Sequence, residues 1–169
     1  ANERVIPFSK KIINDLKKIV TNEVLQQYPS DTKKLIKLIS KKEKIDSKYI
    51  NIIPGSDSAI KYIFEIFNSI NTNIVSIYPT YGMIDVYSKI YRMKLIKIYE
   101  KKIKNDFLLN STYKNTGFLY IANPNQPSGK IIDNNFLNKI IKKTKSKKKY
   151  VIIDEAYIDF SNKKSCSNL

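Results

Sequence analysis

Apolar residues in the first forty positions recur at the three- and four-residue spacing of helices. Between residues 9 and 20 the following positions share this spacing: Ile12, Ile13, Leu16, Ile19 and Val20. This segment is therefore predicted to be an amphipathic helix with Ser9 as its N-cap. A second helix is predicted over residues 31–42, because its apolar residues share one side and lysines occupy the other.

Beyond residue 42 the pattern changes to short apolar runs that contain many β-branched residues. Runs of this length and composition are typical of buried strands, and they occupy residues 49–53, 74–78, 95–99, 118–122 and 150–153. Helical spacing returns between most of them, over residues 56–70, 82–90 and 133–143. The alternation predicts an α/β fold of three layers, in which a mostly parallel sheet is flanked by helices. Ligands bind at the carboxyl ends of the strands in such sheets, so we expect the function to reside in the loops that follow them.

Composition excludes several kinds of active site. The 169 residues include no histidine and one cysteine, Cys166. A histidine-containing triad, a histidine-ligated metal, an internal disulfide and a thiolate zinc site are therefore excluded within this chain, and no metal site is predicted. No apolar run approaches the roughly 18 residues of a membrane helix, and the start lacks a signal-peptide pattern. We expect a soluble, cytoplasmic protein with no membrane partner.

The strong positive charge raises the question of a nucleic-acid partner. Lys and Arg total 31 against 15 Asp and Glu, a formal charge of +16, and clustered cations bind phosphate backbones. Only Arg4 and Arg92 are arginines, however, whereas recognition of bases and phosphates favours the guanidinium group. Lysine, asparagine and isoleucine all have A/T-rich codons, so genome composition accounts for the bias. We predict no nucleic-acid partner, and steeply salt-dependent DNA binding would support the alternative.

The first candidate site is a glycine turn that precedes a predicted helix. Gly55-Ser56-Asp57 follows the apolar run at residues 49–53. A helix N-terminus presents unpaired amides and the positive end of the helix dipole, which together bind a phosphate. The alternative is an ordinary N-cap formed by Ser56 or Asp57.

Three further strand ends carry candidate chemistry. Tyr81 follows the run at residues 74–78, and its ring either stacks on a flat ligand or packs in the core. The loop at residues 123–129 has a path fixed by two prolines and a glycine, and it offers amides to a ligand. Asp154 ends the last run, where a carboxylate requires a cation or several donors. An N-cap or a buried Asp–Lys pair is the alternative for Asp154.

Together these features suit a planar, phosphorylated, cationic heterocycle such as pyridoxal phosphate. The motifs resemble those of the fold type I pyridoxal-phosphate-dependent aminotransferases, and most closely those of the histidinol-phosphate aminotransferase group. They are Asn2-Glu3, Tyr28-Pro29, Gly55-Ser56-Asp57, Pro79-Thr80-Tyr81, Asn123-Pro124-Asn125-Gln126-Pro127-Ser128-Gly129 and Asp154-Glu155-Ala156-Tyr157. Their order and spacing match across nearly the whole chain, and the last two are the specific ones.

The resemblance implies a role for each matching residue toward the cofactor, pyridoxal 5′-phosphate. Asp154 would pair with the protonated pyridine nitrogen, which keeps the ring an electron sink. Tyr157 would donate a hydrogen bond to the oxygen at ring position 3, and Tyr81 would stack on the ring face. The Gly55-Ser56-Asp57 turn would hold the phosphate through its backbone.

The resemblance also implies contacts with a neighbouring subunit and with the substrate, and one cofactor contact at which this chain departs from the family. Tyr28 would reach the phosphate of a neighbouring subunit in a homodimer, and Asn2 would lie near the substrate. Gln126 stands where the family has asparagine, so either Gln126 or Asn125 is expected to contact the ring oxygen.

The resemblance further implies how the chain is divided. Residues 1–30 are predicted to form an N-terminal arm and first helix, and residues 31–169 the front part of the cofactor-binding large domain. The family's Schiff-base lysine and its substrate-binding arginine are expected after Leu169. No catalytic residue is therefore predicted within the chain, and we expect the chain alone not to transaminate.

The expected function is amino transfer between a small, phosphorylated amine or amino acid and a 2-oxo acid, by a ping-pong route. A pyridoxal-phosphate-dependent decarboxylase of a phosphorylated amino acid uses the same scaffold and is one alternative. A non-catalytic remnant is the other. The residues of this chain do not separate the two enzymes, because their substrate-binding parts are expected elsewhere.

Overall fold

The computed structural model of the protein describes residues 5–28, 32–68, 73–99, 116–146 and 149–167. Its helices are α1 (Lys10–Ile19), α2 (Asn22–Gln26), α3 (Lys33–Glu43), α4 (Gly55–Asn68), α5 (Met83–Ile90) and α6 (Asn134–Ser146). Its strands are β1 (Asn73–Tyr78), β2 (Leu95–Tyr99), β3 (Thr116–Ala122) and β4 (Tyr150–Asp154). Short 3₁₀ helices occupy Ser47–Tyr49 and Ile158–Phe160.

The four strands form one parallel sheet in the order β2-β1-β3-β4. Parallel neighbours require a crossover connection, and α5 supplies it between β1 and β2 while α6 supplies it between β3 and β4. The carboxyl ends of all four strands therefore lie at one edge of the sheet. This is the parallel α/β arrangement that the sequence predicts.

The central strand β3 is buried throughout and contributes to two separate cores. Phe118 and Tyr120 pack with residues of α4 and α5 on one face. Leu119 and Ile121 pack with residues of α6 on the other face. Successive strand residues point to opposite faces, so the uninterrupted apolar run of β3 indicates helices on both sides. The prediction of three layers is confirmed.

The N-terminal helix α1 forms where the sequence predicts it. Ser9 caps it, because its hydroxyl accepts a hydrogen bond from the Ile12 amide at 3.4 Å. No residue of α1 is buried among the described residues, and Leu16 on its apolar side is 51% exposed. The pattern therefore predicts the helix and its apolar face but not what covers that face. Within the described ranges, no helix is long and apolar enough to cross a membrane.

The strand predicted at residues 49–53 is wrong. Tyr49 ends a 3₁₀ helix, and the residues from there to Gly55 form no strand. Tyr49 is 73% exposed and Ile52 is 38% exposed. A strand requires a hydrogen-bonding neighbour, and the neighbours of β1 are β2 and β3. The five predicted helices and the other four predicted strands are present, with boundaries shifted by a few residues.

Candidate active site

Three of the predicted loops follow adjacent strands and therefore lie side by side. β1 leads into Pro79, β3 into Asn123, and β4 ends at Asp154. Direct hydrogen bonds join these loops: the Asn123 amide donates to the Asp154 carbonyl at 2.8 Å, and the Asn125 side chain donates to the Pro79 carbonyl at 2.9 Å. The structure thus brings together residues that are distant in sequence.

The glycine turn at the start of α4 is connected to the same edge through Asp57. One carboxylate oxygen of Asp57 accepts a hydrogen bond from the Tyr81 hydroxyl at 3.3 Å, and the other accepts from the Tyr87 hydroxyl at 2.9 Å. Burial, reinforced by Asp57, raises the pKa of Tyr81, and the same causes raise the pKa of Tyr87 to about 12. Both phenols therefore stay protonated at neutral pH and act as donors to Asp57.

The backbone of this turn suits an anion. Gly55 adopts φ +80°, a left-handed conformation that glycine adopts without strain, and its amide donates to the Ile53 carbonyl at 2.8 Å. The first amides of a helix have no intrahelical acceptor. The Asp57 carboxylate accepts from two phenols and, among the described residues, makes no hydrogen bond to these amides.

Asp154 is satisfied by two neutral donors. Its Oδ2 accepts a hydrogen bond from the Tyr120 hydroxyl at 2.6 Å, and its Oδ1 accepts from the Ala156 amide at 3.0 Å. Burial, followed by the charge and hydrogen bond of Asp154, raises the pKa of Tyr120 well above its usual range. The Oδ1 contact is a local turn of the kind an N-cap makes. In the part of the chain that the structure describes, no lysine forms the alternative buried pair with Asp154.

Four groups of the predicted site are electrostatic neighbours. After burial and Asp57, the causes that raise the pKa of Tyr81 include Tyr157 and Asp154. Tyr157 is partly buried, and its ring centroid lies 6.3 Å from that of Phe160. The phenol of Tyr81 is therefore bonded to Asp57 of the α4 turn and is close enough to Asp154 and Tyr157 to be influenced by their charges.

The amides of the 123–129 loop differ from their predicted use. Asn123 is buried, and its side chain bonds both the amide and the carbonyl of Ile132. The Asn125 amide group donates to Pro79 and, at 3.3 Å, to the Ser128 hydroxyl. These two side chains brace the loop because its turning backbone leaves carbonyls and amides that need partners. Gln126 is only partly buried.

Three residues at the site were not predicted from the sequence. Tyr87 and Tyr120 occupy apolar positions of a helix and a strand, so periodicity assigns them to the core and says nothing of their hydroxyls. Thr80 is buried, and its hydroxyl has no hydrogen-bond partner among the described residues. The signal in the sequence that could have identified it is its place in the Pro79-Thr80-Tyr81 motif, two residues after β1.

Two predicted residues are not brought into this site. Tyr28 is 96% exposed, and its contact with a neighbouring subunit stays a prediction. Asn2 lies outside the described residues.

Comparisons with known proteins give a consistent result. The family model for aminotransferase class I and II matches residues 5–168. A histidinol-phosphate aminotransferase of Clostridium beijerinckii is 33% identical over 162 residues, which is 94% of this chain and 44% of that protein. The crystal structure of the histidinol-phosphate aminotransferase from Clostridium acetobutylicum matches with a TM-score of 0.73 at 27% identity, over 94% of this chain and 47% of that one.

A likeness of fold alone extends further. The L-threonine-O-3-phosphate decarboxylase from Porphyromonas gingivalis matches with a TM-score of 0.71 at 16% identity, over 92% of this chain and 44% of that one. The chain thus spans a little under half the length of the relatives that it matches.

Proposed function

Because this chain belongs to the class I and II aminotransferases, we propose that the whole protein transfers an amino group between a small, phosphorylated amine or amino acid and a 2-oxo acid. The names of the relatives, histidinol-phosphate aminotransferases, support the substrate class. The observation that carries the proposal is the placement of Asp154 and Tyr157 near Tyr81, which bonds the first turn of α4.

The residues at this edge fit pyridoxal 5′-phosphate, the cofactor of the family. The amides and dipole of α4 suit the phosphate, and the Asp154 carboxylate suits a cationic ring nitrogen. The buried Thr80 hydroxyl lacks a partner in the described part of the chain, and so an additional polar contact is available beside Tyr81. When bound, the cofactor withdraws electrons from the substrate's α-carbon.

The proposal gives a role to each residue of the candidate site. Asp154 holds the proton on the ring nitrogen, and Tyr120 fixes the orientation of that carboxylate through its hydrogen bond. The Asp57 carboxylate accepts a hydrogen bond from the Tyr81 hydroxyl and so fixes the orientation in which the Tyr81 ring stacks. The backbone amides of Ser56 and Asp57 bind the phosphate, as the first turn of a helix can, and Gly55 shapes the turn through its left-handed backbone while its own amide bonds the Ile53 carbonyl.

Two contacts to the cofactor's 3-oxygen complete the assignment. Tyr157, in the turn that follows β4, donates a hydrogen bond to this oxygen. Gln126, rather than Asn125, provides the second donor, since the Asn125 amide nitrogen is already bonded to Pro79 and Ser128. We also propose that the whole protein is a homodimer in which Tyr28 reaches the phosphate of the partner's site. Its full exposure in this chain is compatible with that role.

The proposal is tested by binding of pyridoxamine 5′-phosphate to the 169-residue chain, followed by fluorescence of the pyridine ring. This form of the cofactor has no aldehyde and cannot react with the many lysines. We expect saturable binding that weakens at least about tenfold in Asp154→Asn, because the ring nitrogen loses its counter-charge. Asp159→Asn is the matched control, an exposed aspartate in the 3₁₀ helix that follows.

Equal affinity of the Asp154→Asn and wild-type chains would overturn the assignment of Asp154. No saturable binding, together with steeply salt-dependent DNA binding, would favour the nucleic-acid alternative. The reaction is read on the whole protein with histidinol phosphate and a 2-oxo acid. Release of CO₂ from a phosphorylated amino acid without amino transfer would identify the decarboxylase instead.

A further inference from the structure

Glu155, which follows Asp154, binds a turn ten residues further along the chain. Its Oε1 accepts a hydrogen bond from the Cys166 amide at 2.9 Å, and its Oε2 accepts one from the Ser165 hydroxyl. The Ser165 oxygen in turn accepts from the Ser167 amide at 3.0 Å. One carboxylate therefore organises the whole turn at residues 165–167.

Cys166 anchors the same turn to the hydrophobic core. The thiol is buried in the core that α6 forms with the sheet. Burial, followed by the charge and hydrogen bond of Glu155, raises its pKa to about 12. The turn at residues 165–167 is thus held by an apolar contact on one side and by Glu155 on the other.

Glu155 uses neutral donors although the chain is rich in lysine. Among the described residues it forms no ion pair. A partly buried carboxylate on a chain of charge +16 would be expected to lie near ammonium groups. Its two oxygens instead meet an amide and a hydroxyl of one short turn, which indicates a fixed geometry.

We propose that Glu155 is a positioning residue, which holds the 154–157 turn in place by tying it to the turn at residues 165–167. The turn is then fixed at both ends. The Asp154 carbonyl accepts from the Asn123 amide of the neighbouring β3 loop at 2.8 Å, and the Glu155 carbonyl accepts from the Ile158 amide at 3.0 Å. The consequence for cofactor binding rests on the proposed function, because Asp154 and Tyr157 are the groups so positioned.

The first measurement is the rate at which a thiol reagent, 5,5′-dithiobis(2-nitrobenzoate), modifies Cys166 in the folded 169-residue chain. Cys166 is the sole cysteine. Glu155→Ala and Glu155→Gln both remove the charge that raises the pKa of its thiol, so the ratio of their two rates reports opening of the turn. Glu155→Ala removes both hydrogen bonds and is expected to raise the rate at least about tenfold, the factor that loss of a bond to a charged group implies. Glu155→Gln keeps an acceptor and a donor, and is expected to restore the rate to within about threefold of wild type.

Glu65→Ala is the matched control. Like Glu155, Glu65 accepts a hydrogen bond from a hydroxyl, in its case that of Tyr91 at 2.8 Å. Glu65 belongs to α4 and not to this turn. Its loss is expected to leave the thiol rate unchanged. Equal rates for wild type and Glu155→Ala would overturn the tether.

The second measurement is hydrogen exchange at the Ala156 amide, which donates to Asp154. Glu155→Ala is expected to speed exchange at Ala156 about tenfold and to leave the Leu119 amide in β3 protected. Unchanged exchange at Ala156, or equal loss of protection at both amides, would overturn the positioning role, since the second result means general destabilisation.

The third measurement separates this inference from the proposed function. If the wild-type chain binds pyridoxamine 5′-phosphate, Glu155→Ala is expected to bind it about tenfold more weakly, and equal affinity would overturn the link to the cofactor. A wild-type chain that binds none would count against the proposed function, while the thiol rate and the amide exchange still decide the tether.

Discussion

The Tyr120 hydroxyl donates a 2.6 Å hydrogen bond to Asp154 across two adjacent parallel strands. In the register of β3 and β4, Ala122 is paired with Asp154 and Tyr120 with Ile152. Tyr120 and Asp154 are therefore diagonal neighbours on one face of the sheet. The carboxylate at the end of β4 therefore receives one hydrogen bond from within the sheet, from Tyr120, and a second from the Ala156 amide of the following turn.

Replacing Tyr120 by phenylalanine removes the hydroxyl that donates to Oδ2 of Asp154. We expect Tyr120→Phe to lower the free energy of unfolding by about 1–3 kcal/mol, because the partly buried Asp154 carboxylate loses a charge-assisted hydrogen bond. Urea unfolding measures it, with Tyr62→Phe, which changes an exposed phenol, as the control. Equal losses in the two variants would show that the Tyr120–Asp154 bond contributes nothing.

Two glycines with open space around them differ in backbone conformation. Gly55 has φ +80° and Gly82 has φ −59°, and an added Cβ would meet nothing within 4 Å at either site. Gly55→Ala is expected to lower the free energy of unfolding by about 1–2 kcal/mol because of left-handed strain. Gly82→Ala is expected to leave it unchanged or to raise it by up to about 1 kcal/mol. Chemical unfolding distinguishes them, and a loss at Gly82 as large as at Gly55 would contradict this account.

The apolar face of α1 is expected to add little to the stability of the sheet. Leu16 is 51% exposed, whereas Leu137 of α6 is completely buried. Leu137→Ala should lower the free energy of unfolding by about 2–5 kcal/mol, and Leu16→Ala should change it by less than about 0.5 kcal/mol. A large effect at Leu16 in thermal or urea unfolding would mean that α1 is covered in solution.

Stability is expected to fall in alkaline solution. The folded-state pKa values of Tyr87, about 12, and of Tyr120 lie above that of an unfolded tyrosine, which is about 10. The unfolded chain therefore releases these protons first, so their contribution is complete below about pH 10 and is lost as pH rises toward 12. The urea midpoint should be lower at pH 11 than at pH 8, and Tyr87→Phe should narrow the difference. Identical midpoints at the two pH values would refute this.

The positions of the sheet and its functional edge could be predicted because both depend on burial. The runs at residues 118–122 and 150–153 are apolar since their strands lie under helices, and a parallel arrangement places the loops after them at one edge. The assignment of chemistry to Asp154 followed from the same reasoning, because a carboxylate at a buried strand end needs donors.

The remaining features depend on contacts that periodicity does not record. The run at residues 49–53 has the composition of a strand but, in the part of the chain that the structure describes, no neighbouring strand to bond. Asn123 and Asn125 carry side-chain amides in a turning loop. The sequence does not show whether such amides bind a ligand or backbone groups of the protein itself. Tyr87 and Tyr120 count as apolar in any pattern, although their hydroxyls hold the two carboxylates of the site.

The strand order also determines when the parts of the site come into existence during synthesis. β1 and β2 are synthesised first and are neighbours in the sheet, β3 lies on the other side of β1, and β4, which is synthesised last, lies beside β3. Helix α4 and Tyr81 are therefore in place with the earliest pair, and Asp154 arrives with the last strand. A ribosome-bound chain therefore acquires the α4 turn before Asp154, and the edge that we propose binds the cofactor is complete only when the final strand has emerged.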